Sequence, residues 1–118
     1  MNDKTLLIQK KNDEFRKRIM IPVFGKPEIR GQHVMIIGIQ ELGAEAQICI
    51  AALVRDFDNF TEENDPNGEH DFGSNTYEAH KIFWKIDYYD TKYEMGSEDP
   101  SDLLQTRRVL TILLAREY

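Results

Sequence analysis

The sequence predicts a small α+β protein, in which a mostly antiparallel sheet packs with helices in the order α-β-α-β-β-(β)-α. Two patterns lead to this prediction: apolar residues recur at helical spacing in residues 44–57 and alternate at strand spacing in residues 81–90. The third observation is size, because 118 residues with 41% hydrophobic content suffice for one core but not for two. We therefore expect a single domain over residues 1–118.

The first element is a predicted helix over residues 4–19, with Asp3 as its N-cap. Its apolar stripe is thin and consists of Ile8, Phe15 and Ile19. A helix with few apolar residues gains little from packing, so we expect the segment 3–20 at the periphery of the fold. Prolines and glycines at 22–31 then interrupt the chain.

The stretch "HVMIIGI" at residues 33–39 is apolar on both alternating faces, which is typical of a strand covered on both sides. The second helix is predicted over residues 44–57. Its apolar face has the spacing i, i+3, i+4, i+7, i+8 and i+11 and comprises Ala46, Cys49, Ile50, Leu53, Val54 and Phe57. Cys49, the single cysteine of the chain, should therefore be a buried and inert thiol.

Two strands are predicted next, at residues 72–78 and 81–90. Aromatic and β-branched residues dominate the second strand, "KIFWKIDYYD", and we expect its Trp84 in the core. The stretch "TKYEM" at residues 91–95 could add a short edge strand.

The last predicted element is a helix over residues 100–117. Asp99 suits its N-cap, and Pro100 suits the first helical position. The apolar arc of this helix comprises Leu103, Val109, Leu110, Leu113 and Leu114. Arg107 would then border the core near the acidic loop, and the pattern leaves open whether Arg107 and Arg108 are structural or functional.

Charge is unevenly distributed along the chain, whose net charge is −6. Residues 56–80 contain eight acids and no lysine or arginine. Such a block attracts basic surfaces or metal ions and repels phosphates, so we expect no direct binding of nucleic acid. The sequence shows neither a long apolar run nor a charged-then-apolar leader, from which we expect a cytoplasmic protein without a membrane span.

The acidic loop "FTEENDPNGEHDFGS" at residues 60–74 is the most distinctive segment. Its "DPNG" consists of residues that favour a β-turn. A helix-loop-helix calcium site is excluded, because counting from Asp65 puts His70 at the sixth position and Thr76 at the twelfth, where glycine and glutamate are needed. A looser ligand or metal site remains an alternative, built from Glu69, His70, Asp71, Asp87 and Tyr89.

No catalytic residue and no cofactor is assigned. The sequence contains no nucleophile elbow, no Walker-type loop and no dinucleotide glycine fingerprint. Three histidines and one cysteine do not form a recognisable nucleophile–base pair. These absences favour a non-enzymatic protein.

Four ordered stretches resemble the hallmark segments of domain-of-unknown-function family 3768: "FDNFTEENDPNGEHDFG", "IFWKIDYYD", "GSEDPSD" and "RRVLTILLAREY". The resemblance runs from about Val34 to Tyr118, and the lysine-rich N-terminal segment departs from the family's usual pattern. The family has no established activity. What the resemblance implies is a context among plasmids, phages and integrated elements, including antirestriction genes.

These observations lead to a functional hypothesis. We expect a non-enzymatic acidic interaction protein of a phage- or plasmid-type element. It would act in counter-defence by engaging a basic surface of a host defence protein, since a row of carboxylates can occupy the place of a phosphate backbone. The expected contact residues are Glu62, Glu63, Asp65 and Glu69.

Overall fold

The computed structural model describes residues 2–22 and 25–118 and shows the predicted α+β class. Its helices are α1 (Asp3–Lys17), α2 (Ile37–Gln40) and α3 (Ala44–Arg55). Its strands are β1 (Gly31–Met35), β2 (Phe72–Tyr77), β3 (His80–Tyr89) and β4 (Arg107–Leu114), and a single 3₁₀ turn follows at Ala115–Glu117. None of the helices in these ranges has the length and apolar composition of a membrane span.

The four strands form one sheet in the order β1-β4-β3-β2. The β2–β3 and β3–β4 pairings are antiparallel and the β1–β4 pairing is parallel, so the sheet is mixed but mostly antiparallel. The register places Trp84 opposite Ile112 on one side and opposite Gly73 on the other. Gly73 is required there, because a Cβ atom at this position would lie 2.5 Å from the indole nitrogen of Trp84.

The core lies between one face of the sheet and the helices. Alternation along β3 and β4 turns large apolar side chains to this face, where they pack on α1 and α3. The buried sheet residues are Ile82, Trp84, Ile86, Leu110, Ile112 and Leu114, and their helical partners include Phe15, Ile50, Val54 and Phe57. Trp84 is fully buried, as the sequence predicts. We call the opposite face of the sheet, which carries Phe83, Lys85, Asp87 and Tyr89 of β3, the outer face.

The prediction of a helix over residues 100–117 is wrong, because this part of the chain contains strand β4. Residues 109–114 are apolar at every position except Thr111, so their pattern fits helical and strand spacing alike. Val109, Thr111 and Ile112 are β-branched, and β1 and β3 satisfy the backbone of β4 from both sides. Asp99 accepts bonds from Ser101 in a turn and does not cap a helix.

The strand predicted at residues 33–39 is wrong in its second half. β1 ends at Met35, and Ile37–Gln40 form the short helix α2. A contact distant in the sequence stabilises this helical turn, because the amide of Gly38 donates to Oε2 of Glu117 at 2.9 Å. The edge strand predicted at residues 91–95 is also wrong: the segment is a turn whose backbone amides donate to the Asp90 carboxylate.

Helix α3 confirms the second predicted helix but not its whole buried face. Ala46, Ile50 and Val54 are buried as expected. The prediction of a buried Cys49 is wrong, because this side chain is exposed. The face that meets the sheet is rotated toward Ala51, which leaves Cys49 at the solvent edge.

Helix α1 packs more than its thin apolar stripe suggests. Ile8 and Phe15 are buried, and the polar residues Asn12 and Arg16 are buried beside them. Its N-cap is Asn2, whose side chain accepts a bond from the amide of Thr5 at 2.8 Å; Asp3, the predicted cap, is the first helical residue. These buried polar side chains of α1 connect the helix to the acidic loop.

Candidate functional site

A buried polar network joins α1 to β4. The guanidinium group of Arg108 is fully buried, and its Nε donates to Oδ1 of Asn12 at 2.7 Å. Its Nη2 donates to the backbone carbonyl of Pro100 at 2.9 Å, and the group lies over the ring of Tyr88, 5.3 Å from the ring centre. Burial lowers the pKa of Arg108, and the nearby Tyr88 and Glu69 oppose that effect.

The same network holds one end of the acidic loop. Asn12 Nδ2 donates to the backbone carbonyl of Glu69 at 2.9 Å and to the hydroxyl oxygen of Tyr88 at 2.7 Å. The Tyr88 hydroxyl in turn donates to Oε1 of Glu69 at 2.8 Å. Burial raises the pKa of Tyr88, and its bond to the Glu69 carboxylate raises it further, while the Asn12 bond acts in the opposite direction. Tyr88 is therefore a neutral donor here.

A second cluster surrounds the buried guanidinium group of Arg16. Its Nη1 donates to Asp13 at 2.9 Å, and its Nη2 donates to the backbone carbonyl of Phe57 at 3.1 Å. The group lies over the rings of Phe60 and Trp84, 5.4 and 5.2 Å from their centres. Arg16 thus connects α1 to the segment that follows α3.

His70 shares the Asp13 carboxylate with Arg16. Its Nδ1 lies 2.9 Å from Oδ1 of Asp13, and its ring stacks on Phe60 with centroids 3.7 Å apart and an interplanar angle of 4°. The backbone of His70 has φ of 55°, and its amide donates to Oδ1 of Asp65. A non-glycine residue in this region is held there by its surroundings, and such positions occur often at functional sites.

A cleft with a volume of about 530 Å³ opens beside this histidine. Its walls combine the aromatic rings of Phe57 and Phe60 with charged side chains of both signs. The charged residues and the histidine are Asp13, Arg16, Lys17, Arg55, Asp56, Asp58 and His70. Arg55 is paired with Asp56, and Arg16 and His70 both contact Asp13, so among the described residues Lys17 and Asp58 are the lining charges without an ion pair.

A second cleft, of about 440 Å³, lies on the other side of the loop and is acidic. Glu63, Asp71 and Asp87 line it, together with Lys85, whose ammonium group lies 3.1 Å from Asp87. Burial raises the pKa of Asp71 to about 6, and repulsion from Glu69, Asp65 and Asp87 adds to the effect. The largest charge effects on Asp71 all come from other carboxylates.

The four carboxylates that we predict as partner contacts fall into two groups in the structure. Glu62 and Glu63 are exposed. Asp65 is buried and bonds the amide of His70, while Glu69 bonds Tyr88. Two of the four therefore face solvent, and two hold the loop to the fold.

The five residues of the alternative ligand site are likewise divided. Asp71 and Asp87 line the acidic cleft, whereas His70 lines the cleft beside Asp13. Tyr89 lies on the outer face opposite Arg107 in the β3–β4 register. Among the described residues, no group of three or more His, Cys, Asp or Glu side chains is arranged to hold a metal ion.

Several important residues are not indicated by the sequence patterns. Asn12, Asp13 and Arg16 belong to a helix that the apolar pattern assigns to the periphery. A polar residue at a core-facing position, such as Asn12 four residues after Ile8, is the one feature that could have indicated them. Arg108 has a structural role, and Arg107 donates to the carbonyl of Thr106.

Comparison with known proteins gives one match. Residues 35–117 match the family described as "Protein of unknown function (DUF3768)". The matched region contains the acidic loop and the strands β2, β3 and β4, whereas α1 lies outside it. Neither the curated proteins nor the solved structures contain a match to the chain.

The Tyr88→Phe substitution tests the buried network. It removes the hydroxyl that donates to Glu69, and we expect the free energy of unfolding to fall by about 1–3 kcal/mol because a half-buried carboxylate loses its donor. Chemical denaturation measures the change. Tyr93→Phe is the matched control, since Tyr93 is 38% exposed, and it should change stability by less than about 0.5 kcal/mol. Equal effects of the two substitutions would contradict the network.

The Asp71→Asn substitution tests the raised pKa of about 6. An acid whose pKa is higher in the folded state binds more protons there, so wild-type stability decreases as pH rises from the usual value of about 4 through 6. The Asp71→Asn variant has no carboxyl group at this position and does not show this decrease in stability. We expect its stability relative to wild type to increase by about 1–2 kcal/mol between pH 4 and pH 8.

Urea titrations at closely spaced pH values give this difference directly. Glu41→Gln, at an exposed position after α2, is the control and should follow the wild-type curve. A constant difference between Asp71→Asn and wild type across this range would show that Asp71 titrates normally.

Proposed function

We propose that this chain, which belongs to the DUF3768 family of proteins of unknown function, is a non-enzymatic interaction protein that binds a basic surface of another protein. Its contact region is an acidic surface formed by exposed carboxylates in and just before the loop, together with the acidic cleft. We define this acidic surface as Asp58, Glu62, Glu63, Asp71 and Asp87.

The observation that carries this proposal is the acidic cleft, in which Glu63, Asp71 and Asp87 lie together; burial first, and then repulsion from neighbouring carboxylates, raises the pKa of Asp71 there. Lys85 pairs with Asp87 in this cleft, but Asp71 has no cationic partner among the described residues, and crowded carboxylates raise the free energy of the folded protein when they are ionised. A lysine or arginine side chain from a partner that enters the acidic cleft would relieve this repulsion and gain a charge-assisted bond. The exposed carboxylates Glu62 and Glu63 would steer such a partner toward the cleft.

The anchoring of the loop supports the same proposal. Asn12, Tyr88 and Asp65 hold the loop in one conformation through its inward groups. The outward carboxylates are therefore presented on a preorganised segment, and binding requires little further ordering. An acidic row held in this way can replace a phosphate backbone on a protein that binds nucleic acid.

The biological setting that we propose is counter-defence. The chain would act in the cytoplasm for a phage or plasmid and would block a host defence protein by covering its basic, nucleic-acid-binding surface. The family resemblance implies the setting, and the acidic surface supplies a mechanism that fits it.

Binding to a defined arginine-rich peptide tests the contact surface. We expect the triple variant Asp58→Asn/Glu62→Gln/Glu63→Gln to bind the peptide about tenfold more weakly by isothermal titration calorimetry. The matched control is Glu41→Gln/Glu45→Gln/Glu94→Gln, which removes the same charge from exposed positions elsewhere. If the control weakens binding equally, net charge and not the acidic surface is responsible.

A cellular measurement tests the proposed setting. Expression of the wild-type chain should raise the plating efficiency of phage on a host with an active restriction system, and the triple variant at the acidic surface should not. If both proteins raise the plating efficiency equally, the activity does not depend on the acidic surface.

A second candidate function is the binding of a small polar ligand, which the cleft beside His70 favours. Its volume of about 530 Å³ lies in the range of ligand sites, and Asp13 orients the imidazole toward it. Asp71 and Asp87 belong to the other cleft, so this candidate concerns His70 with Asp13 and Lys17.

A thermal-shift screen with nucleotides and divalent metals tests this candidate. A ligand present at 100 times its Kd stabilises the protein by about 2.7 kcal/mol, which is a clear increase in Tm. The increase should disappear in His70→Ala and persist in Asp71→Asn. The opposite result would place the ligand in the acidic cleft, and no increase with any compound would remove support for this candidate.

A further inference from the structure

The outer face of the sheet carries a cluster of three aromatic rings. Phe72 of β2 and Phe83 of β3 lie with ring centroids 5.4 Å apart. The ring of Tyr118 stands edge-on to both, at 6.0 and 5.5 Å. Tyr118 is 72% exposed, so the cluster presents an aromatic ring to solvent.

One cationic side chain borders these rings, and a second shares a cleft with it. The ammonium group of Lys81 lies over the ring of Phe83, 5.5 Å from its centre. Arg116 is exposed and lines a small cleft of about 240 Å³ together with Lys81. In residues 2–22 and 25–118, neither side chain forms an ion pair, whereas Lys85 is paired with Asp87. The positive charge of Lys81 and Arg116 is therefore available to an anionic partner.

We propose that this aromatic-basic patch, formed by Phe72, Phe83, Tyr118, Lys81 and Arg116, binds single-stranded nucleic acid. A base stacks on the exposed ring of Tyr118, and Lys81 and Arg116 contact the adjoining phosphates. Proteins that bind single strands without sequence preference combine these two elements, because every base has a flat face and every nucleotide a phosphate. A duplex keeps its bases stacked inside and offers the patch only its phosphates.

An acidic peptide would use only half of the patch. Carboxylates could pair with Lys81 and Arg116, but they would leave the aromatic rings without a matching surface. The juxtaposition of rings and free cations therefore favours a nucleotide over a carboxylate partner.

The proposal departs from the expectation, based on the net charge of −6, that the chain does not bind nucleic acid directly: that expectation concerns the surface as a whole, whereas the patch acts locally. Glu63 and Asp87 share a cleft with Tyr118, so the acidic surface begins on one side of the patch. Repulsion from that side directs the phosphates toward Lys81 and Arg116. Because only two cations take part, the dependence of affinity on salt should be shallow compared with that of a basic nucleic-acid-binding protein.

Fluorescence anisotropy tests the proposal with labelled oligo(dT) and oligo(U) of about 15 nucleotides. Both should bind, and a duplex of equal length and a poly-glutamate peptide should bind more weakly. Tyr118→Leu keeps an apolar side chain but removes the ring, and it should weaken binding by about fivefold or more. Lys81→Gln/Arg116→Gln should weaken binding and flatten the salt dependence.

The control variant Lys10→Gln/Lys26→Gln removes two exposed cations elsewhere and should bind as wild type does. Circular dichroism checks that each variant is folded, which we expect because Tyr118 and Arg116 are exposed. The proposal is overturned if neither oligonucleotide binds, if the duplex binds as tightly, or if Tyr118→Leu has no effect. Equal binding of poly-glutamate would instead assign the patch to an acidic peptide.

Discussion

Burial of the Arg108 guanidinium is the constraint on which the rest of the structure depends. A charged group without solvent destabilises the fold unless polar partners surround it, and β4 itself offers this side chain none. The partners come from elsewhere: Asn12 from α1, the carbonyl of Pro100 from the turn before β4, and the ring of Tyr88 from β3. The position of α1 on the sheet is therefore determined by polar chemistry as much as by its apolar stripe. The same network ends at Glu69 and so determines where the acidic loop leaves the fold.

The acidic loop carries carboxylates that hold it to the fold side by side with carboxylates that face solvent. Asp65 and Glu69 accept bonds from an amide and a phenol, which satisfies groups that a long irregular segment would otherwise leave unpaired. Glu62 and Glu63 face solvent, and Asp71 lies among carboxylates that disfavour its ionised form. Burial, with repulsion from these carboxylates added to it, reduces stability when Asp71 is ionised. The inward carboxylates make the loop rigid, and rigidity is what makes the outward ones a defined surface.

The outer face of the sheet brings two surfaces of opposite chemistry next to each other. The acidic surface lies where the loop meets the end of β3, and the aromatic-basic patch lies on the outer face near the start of β3. They meet at Tyr118, which lines the acidic cleft and also contacts Phe72 and Phe83. A protein that carries both could contact a nucleic-acid-binding protein and a single strand at the same time. The sheet supplies this geometry because alternate residues of β3 point to opposite faces, so Trp84 can complete the core while Phe83 and Lys85 remain on the outside.

The sequence by itself determined the elements whose pattern is local and unambiguous. The helical spacing around Ile50 and the alternation around Trp84 predict α3 and β3 within a few residues, and the "DPNG" turn predicts the irregular loop. The sequence could not decide between helix and strand for residues 107–114, because the apolar residues there fit both spacings. Hydrogen bonds from β1 and β3 make this segment a strand. Nor could the sequence show that Asp65 and Glu69 face inward, or that His70 joins Asp13 across 57 positions of the chain. Local propensity depends on neighbours in the sequence, whereas burial and charge pairing depend on neighbours in space. Only the tertiary structure could therefore decide burial and charge pairing.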